Sequence, residues 1–198
     1  MSNSPEQSVR LFKNDFMESL SHVHPIVPLL LWSPVVLVLL YRSFAQHELA
    51  LLPVLGVGIL ALIAWTLMEY LLHRIVFHWQ AKSRFGKWFV FMFHGIHHDA
   101  PQDKTRLVMP PAPAVLIMAL LCLFFSVFVP MPWLEPFMAF FIVGYLIYDY
   151  IHYATHHFRM KGRIGSYLRR YHLQHHFSKP NGHFGVSSPL WDIIFRTR

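Results

Sequence analysis

The chain has 198 residues, of which 55% are hydrophobic and only 14% are charged. Soluble globular proteins carry about 25% charged residues, so this composition argues against a soluble protein. The formal net charge is +7, but no recognisable nucleic-acid-binding module accompanies it, and we predict no nucleic-acid partner. The single cysteine, Cys122, excludes a disulfide framework and a thiolate metal cluster.

The first 25 residues are polar and contain two prolines. They lack the charged start and the apolar core of a secretory signal peptide. We therefore predict a cytoplasmic or interfacial tail at residues 1–25, ahead of a single membrane domain at residues 26–198. The apolar positions of the tail fit an interfacial helix and are Val9, Leu11, Phe12, Phe16 and Leu20.

Four apolar segments follow, each close to or above the roughly 18 residues that a membrane-spanning helix needs. They cover residues 26–42, 49–72, 113–129 and 134–151. The first is marginal, because Pro28 and Pro34 are expected to bend or shorten it. A turn at residues 130–133 separates the third segment from the fourth. We predict four spans in two hairpins, and hence an all-α integral membrane fold.

The lysine and arginine residues are distributed unevenly along the chain. Sixteen of the seventeen lie in the N-terminal tail, in residues 73–112 or after residue 151, and Arg42 is the exception. Because these residue types favour the cytoplasmic side of a membrane, we predict a cytosolic helical cap made of residues 73–112 and 152–198. The active site and both termini would then lie on the cytoplasmic side.

Ten of the fifteen histidines form four tight clusters, each close to the end of an apolar segment or in the segment that follows. Residues three or four positions apart share a helix face, so the imidazoles within most clusters converge. His73 and His78 differ by five positions, and they converge only where the helix ends or distorts, or else bind different metals. The clusters are His73 and His78; His94, His97 and His98; His152 and His156; His172, His175 and His176.

Ten imidazoles are too many for one ion, so the count predicts two metals side by side. Imidazole binds iron, zinc and copper well. The Glu-x-x-His motifs of carboxylate-bridged di-iron bundles are not evident, and neutral nitrogen ligands leave positions open for oxygen. Zinc fits the same ligands but cannot perform redox chemistry. The residues alone leave the choice of metal open.

Two acids share a helix face with predicted ligands. Asp149 stands three residues before His152, and Glu69 stands four residues before His73. Because ligating histidines donate their other ring proton to a carboxylate or a carbonyl, we predict that both acids orient a ligand. The histidines outside the ligand set are His22, His24 and His47, which are assigned to the membrane interface, and His157 and His183. The last two adjoin clusters, so each is either a spare ligand, a residue that supports a ligand, or without a role.

Several stretches of the chain resemble the fatty acid hydroxylase superfamily, and within it the fatty acid 2-hydroxylases that act on sphingolipid acyl chains. The resemblance covers about residues 50–198 and is specific in its motifs. These are HRIVFH at 73–78, HGIHHDAPQDKTRLVMPP at 94–111, GYLIYDYIHYATHH at 144–157, LRRYHLQHHF at 168–177 and FGVSSPLWD at 184–192.

The resemblance implies that the ten clustered histidines are catalytic and hold two iron ions. It implies O2-dependent hydroxylation at C2 of a fatty acyl chain, free or within a ceramide-like sphingolipid. The Arg106 guanidinium can hydrogen-bond an acidic or amide head group, and Tyr148 and Tyr150 are predicted to line the substrate pocket. Purified protein is expected to accept zinc as well as iron.

Eukaryotic relatives often carry a fused cytochrome b5 domain, which this sequence does not show. We therefore expect an external electron donor, either a cytochrome b5-like protein or a ferredoxin with its reductase. An acidic carrier suits the basic face of the chain, since complementary charges steer encounter. Two alternatives remain: a related di-iron oxygenase acting on a sterol, carotenoid or alkyl lipid, and a membrane metal-handling protein.

Overall fold

The structure is a computed structural model that describes residues 9–179 and 181–198, and within these residues the chain is helical without β-strands. The predicted all-α fold is confirmed. The helices are α1 Asp15–Leu20, α2 Val27–Tyr41, α3 Leu51–Leu71, α4 Arg84–Val90, α5 Ile96–Asp99, α6 Pro111–Ser126, α7 Leu134–His157, α8 Gly162–Phe177 and α9 Leu190–Ile194. Wider π-helical turns follow three of them, at Arg42–Gln46, Leu72–Phe77 and Phe91–Gly95.

Three helices, taken with their π turns, are long and apolar enough to cross a membrane, and they identify a membrane protein. They are Val27–Gln46, Leu51–Phe77 and Leu134–His157, and each runs further toward the C-terminus than the sequence predicted. The remaining predicted span, at residues 113–129, forms α6, which has only 16 residues. The count of four spans in two hairpins therefore stays a prediction.

Pro34 lies inside α2, and the helix continues past it to Tyr41. A proline within a helix removes one backbone hydrogen bond, which packing against neighbouring helices makes tolerable in a membrane. Trp32 and Val36, on either side of Pro34, are both buried in the core. The Trp32 ring meets Tyr145 of α7 edge-on, with 6.3 Å between the ring centroids.

Helix α7 is the centre of the fold and packs against α2, α3, α6 and α8. Its close approach to α3 depends on Gly144, where a Cβ atom would lie 2.6 Å from Cγ of Trp65. The Trp65 ring in turn meets Phe141 edge-on at 5.1 Å and Tyr145 at 5.5 Å. This packing fixes the C-terminal end of α7 beside the end of α3, where predicted histidine ligands begin.

The N-terminal segment is fastened to the loop before α6. The backbone N–H of Val23 donates to the Thr105 carbonyl at 2.7 Å. Helix α1 is capped by the Asn14 side chain, which accepts the Met17 N–H. The helix is confined to Asp15–Leu20, so the apolar residues before it are not part of an interfacial helix. Residues 1–8 of the predicted tail lie outside the described residues.

Candidate metal centre and lipid cavity

The π turn after α3 brings His73 and His78 together. In a π-helix the hydrogen bond runs between residues five positions apart, and the His78 N–H donates to the His73 carbonyl at 3.0 Å. The centroids of the two rings are 5.0 Å apart. The pair therefore converges on one site through the helix distortion that its five-residue spacing requires.

The ten predicted ligands form two groups of five, and within each group all the ligand nitrogens lie within 4.8 Å of one another. We name the groups site A and site B. Site A consists of His73, His78, His94, His98 and His175, and site B consists of His97, His152, His156, His172 and His176. Two of the four sequence clusters are thus divided between the sites.

Each His-x-x-His-His motif contributes to both sites. In the motif that ends on α5, the outer histidines His94 and His98 lie one helical turn apart and join site A, while His97 joins site B. The motif on α8 is divided in the opposite sense, so that only its middle histidine, His175, joins site A. Because α5 and α8 serve both sites, the two sites are neighbours.

Adjacent ligand nitrogens are spaced for metal bonds at near right angles. In site A, Nε2 of His94 lies 3.0 Å from Nε2 of both His73 and His98. The corresponding site B distances run from 2.8 Å to 3.1 Å. With metal–nitrogen bonds of about 2.1 Å, right-angle ligands lie about 3.0 Å apart and tetrahedral ones about 3.4 Å. The spacing of adjacent donors therefore fits ligands at near right angles around one ion in each site.

Burial keeps the ligands outside the spans in the neutral form that metals bind. Burial, together with the neighbouring imidazoles, holds the pKa of His94, His97 and His172 well below the usual range. The same causes lower the pKa of His78 to about 4 and that of His98 to about 3. At neutral pH these rings keep a nitrogen lone pair for a metal ion.

Two ligands of site A are oriented by backbone carbonyls of the C-terminal segment. Nδ1 of His73 donates to the Phe184 carbonyl at 2.5 Å, and Nδ1 of His175 donates to the Gly182 carbonyl at 2.7 Å. These bonds leave Nε2 of each ring for the metal. In site B, four buried Nδ1 atoms have no hydrogen-bond partner among the described residues, and they belong to His97, His156, His172 and His176.

The two acids that were predicted to orient ligands lie close to the centre, but within the described residues neither bonds to a histidine. Glu69 accepts the backbone N–H groups of Val186 at 2.6 Å and Ser187 at 2.8 Å, and it also accepts the Ser187 hydroxyl. Asp149 is 2% exposed, and its Oδ2 has no partner among the described residues. Glu69 therefore reaches a ligand only through the C-terminal loop.

A largely apolar cavity of about 370 Å³ extends to the metal centre. His94 of site A and both His97 and His152 of site B line it. Tyr148 and Asp149 contribute polar groups to the lining, as α7 passes the cavity one turn before His152. An apolar molecule in this cavity would therefore lie against histidines of both sites.

Of the other predicted substrate contacts, Arg106 lines the cavity but Tyr150 does not. The Tyr150 hydroxyl donates instead to the Pro25 carbonyl at 2.8 Å. The guanidinium of Arg106 is buried beneath the N-terminal segment, where it contacts the Glu18 carboxylate and donates to Oγ of Ser21 at 3.0 Å. A substrate head group would therefore have to compete with Glu18 and Ser21 for this guanidinium.

The sequence did not reveal the residues that support the ligands from behind. Asp192 and the carbonyl-bearing Gly182 and Phe184 received no role, although FGVSSPLWD is part of the family resemblance. A backbone carbonyl leaves no signal in the residue type. The remaining histidines of the described chain lie outside both groups of five, and they include His22 beside Arg106, His47 beside Glu135, His157 against Tyr153 and His183 against Tyr171.

Comparisons with known proteins agree with this architecture. The sequence model of the family described as fatty acid hydroxylase matches residues 58–197. A dihydroceramide fatty acyl 2-hydroxylase of Arabidopsis thaliana is 36% identical over 197 residues, which cover 97% of this chain and 81% of the plant protein. A fatty acid 2-hydroxylase of Rattus norvegicus is 34% identical over 212 residues, which cover 96% of this chain but only 56% of the rat protein.

One solved structure shares the fold and carries the same domain. Full-length Scs7p, in which only the hydroxylase domain is visible, superposes with a TM-score of 0.86 at 34% sequence identity. The match covers 94% of this chain and 70% of that one. By sequence and by fold, the chain belongs to the fatty acid hydroxylase family.

Proposed function

We propose that this protein uses O2 and two iron ions to hydroxylate a fatty acyl chain at C2, with a ceramide-like sphingolipid as the substrate class. The observation that carries the proposal is the pair of five-histidine sites bordering an apolar cavity. Relatives at 34–37% identity are named as fatty acid 2-hydroxylases and as dihydroceramide or ceramide fatty acyl hydroxylases.

The ten histidines would hold one iron in site A and the other in site B. Bound iron would activate O2 with two electrons from the external donor, so that one oxygen atom enters the C2–H bond and the other leaves as water. Zinc in the same ligands would not, because it performs no redox chemistry. The chain's own contribution is placement. His94, His97 and His152 border the cavity from both sites, and the apolar walls exclude water from the reacting carbon.

Hydroxylation at C2 requires the polar head of the substrate to lie beside the metal centre, because C2 adjoins the acyl carbonyl carbon. Tyr148 and Asp149 offer polar groups at that place, and the Tyr148 ring lies 5.7 Å from the ring of His152. We assign both residues to positioning the head group. Arg106 becomes a second polar contact when the Glu18 carboxylate moves away from it.

We place the metal centre and both termini on the cytoplasmic side, as the distribution of basic residues favours. A cleft of about 390 Å³ lies beside His78 and His98 and is bordered by Trp79 and Lys87. It provides an approach for a separate electron carrier of the cytochrome b5 or ferredoxin type with its reductase. The chain spans about half the length of the rat relative, so the identity of the donor is part of the proposal.

The test is mass spectrometry of total lipids from cells that express the wild type or His94→Ala at equal membrane levels, with oxygen and an electron donor supplied. We expect 2-hydroxy acyl lipids in the wild type alone. A different oxidised lipid would replace the proposed substrate with a sterol, carotenoid or alkyl lipid. Unchanged lipids with altered cellular metal content would support the metal-handling alternative and overturn the proposal.

A further inference from the structure

One peptide group joins a buried carboxylate to a ligand of site A. The carbonyl of Phe184 accepts Nδ1–H of His73 at 2.5 Å. The N–H of the same peptide group, which belongs to Gly185, donates to Oδ2 of Asp192 at 2.7 Å. Asp192 is fully buried, so solvent does not compete for these bonds.

We propose that Asp192 is a positioning residue of site A that acts on His73 through this peptide group, an inference that rests on the proposed metal centre. A carboxylate that accepts a peptide N–H polarises the carbonyl of that peptide, which strengthens the bond to the imidazole. The bond fixes the ring orientation and tautomer and makes Nε2 a better metal ligand. The arrangement is a carboxylate–histidine pair with a peptide group inserted between the two.

Asp192 supports the second oriented ligand by a parallel route. His175 donates Nδ1–H to the Gly182 carbonyl at 2.7 Å. The N–H of that peptide group belongs to His183 and donates to the Thr197 carbonyl at 2.8 Å. The Thr197 hydroxyl donates to Oδ1 of Asp192 at 2.7 Å. The same carboxylate therefore supports one oriented ligand of site A through a peptide group and the other by holding Thr197 in place.

Glu69 holds the same loop from the opposite side. Its carboxylate accepts the backbone N–H groups of Val186 and Ser187, and it lies one helical turn before His73. The loop also needs Gly185, because a Cβ atom there would lie 2.0 Å from the Ser188 carbonyl oxygen. Buried carboxylates are retained only where hydrogen bonds offset their desolvation, and here the donors come from the ligand-supporting loop.

Four of the five site B ligands lack this kind of support, because their buried Nδ1 atoms have no partner among the described residues. A defect at Asp192 should therefore weaken metal binding at site A and leave site B intact. General misfolding would weaken both sites together. This selectivity separates a positioning role from a merely structural one.

The experiment is titration of the metal-free protein with Co²⁺, followed by optical absorption and by metal analysis per chain. Asp192→Asn keeps the size of the side chain but replaces one acceptor oxygen with a donor group. In a His156→Ala background only site A is complete, and we expect Asp192→Asn to weaken its Co²⁺ affinity about 10- to 100-fold. In a His73→Ala background only site B is complete, and the same substitution should leave the affinity unchanged.

The matched control is Asp99→Asn, which makes the same chemical change at an exposed residue beside His98 and should leave both affinities unchanged. Equal weakening in the two backgrounds, or no weakening when site A alone is complete, would overturn the inference. Failure of the proposed function gives a different result: the unmutated chain binds two Co²⁺ ions, yet its iron-loaded form makes no 2-hydroxy lipid. That outcome would leave the role of Asp192 standing.

Discussion

The two metal sites use the same residue type but obtain their geometry differently. Site A gathers ligands from two π turns and fixes two of them with carbonyls of the C-terminal segment, as at His73 and Phe184. Site B takes most of its ligands from α7 and α8, which include His152 and His172. Carbonyl hydrogen bonds thus fix two ligands of site A, whereas the positions of most site B ligands follow from the packing of α7 against α8.

This difference predicts unequal metal affinity at the two sites. A ring whose Nδ1–H is bonded to a carbonyl has its tautomer fixed and its Nε2 made more basic. His73 and His175 have such bonds, whereas four site B ligands do not, within the described residues. We therefore expect site A to hold its ion more tightly.

The largest effect on activity is expected when either site loses one of its ligands. His73→Ala and His156→Ala each delete one ligand, from site A and site B respectively. If the reaction needs both ions, either change lowers 2-hydroxy lipid formation below about 1% of the wild type, as expected for groups that act as a unit. Lipid mass spectrometry of purified, equally loaded protein measures this. Substantial activity in one variant would show that its site serves structure only.

The second prediction concerns the difference in metal affinity between site A and site B. Stepwise treatment of the metal-loaded protein with a chelator should leave about one ion per chain before the last is lost, because second-layer hydrogen bonds are worth about 10- to 100-fold in metal affinity. The retained ion should persist in His156→Ala and be lost early in His73→Ala. Release of both ions at the same chelator concentration would contradict the asymmetry.

The sequence predicted which ten histidines the structure gathers but not how they divide between the two groups. Their spacing and clustering identified all ten members of the two groups. The assignment of His94 and His97 to different sites depends on which side of a short helix faces α7, a tertiary contact that spacing alone does not encode. For His73 and His78 the sequence predicted convergence only if the helix ended or distorted there, and the π turn is such a distortion.

The ends of the spans and the partners of the polar residues also could not be predicted from local sequence patterns. Blocks of apolar residues identified the three long helices, although their ends were placed too early because π turns extend two of them and α7 continues as a helix to His157. Arg106 was interpreted in isolation as a head-group contact. The structure gives it Glu18 as a partner, which lies 88 positions away in the chain and has no motif to mark it.

A glycine substitution in the C-terminal loop tests whether the backbone of that loop supports site A alone. Gly185→Ala places a Cβ atom against the Ser188 carbonyl oxygen, so the loop must shift. We expect a loss of about 1–3 kcal/mol in the free energy of unfolding, with weaker metal binding at site A only. Thermal unfolding and Co²⁺ titration measure the two effects.

The matched control is Gly56→Ala, at a position in α3 where an added Cβ atom meets nothing within 4 Å. Alanine favours the helix over glycine by about 1 kcal/mol, so this variant should be as stable as the wild type or more so. It should also bind two ions. Equal loss of ions from both sites in Gly185→Ala would mean that the C-terminal loop supports the whole centre rather than site A.

The smallest expected effect tests the boundary of site B. His157 follows the ligand His156 and completes a His-x-x-x-His-His pattern, but it lies outside both groups of five, with its ring 4.5 Å from the ring of Tyr153. His157→Ala should lose this aromatic contact, at a cost of about 1 kcal/mol in stability, and retain both ions. Loss of an ion would place His157 among the ligands of site B. Retention of both ions, beside the loss expected for His156→Ala, would show that adjacent positions on α7 differ in function, because their side chains point about 100° apart around the helix.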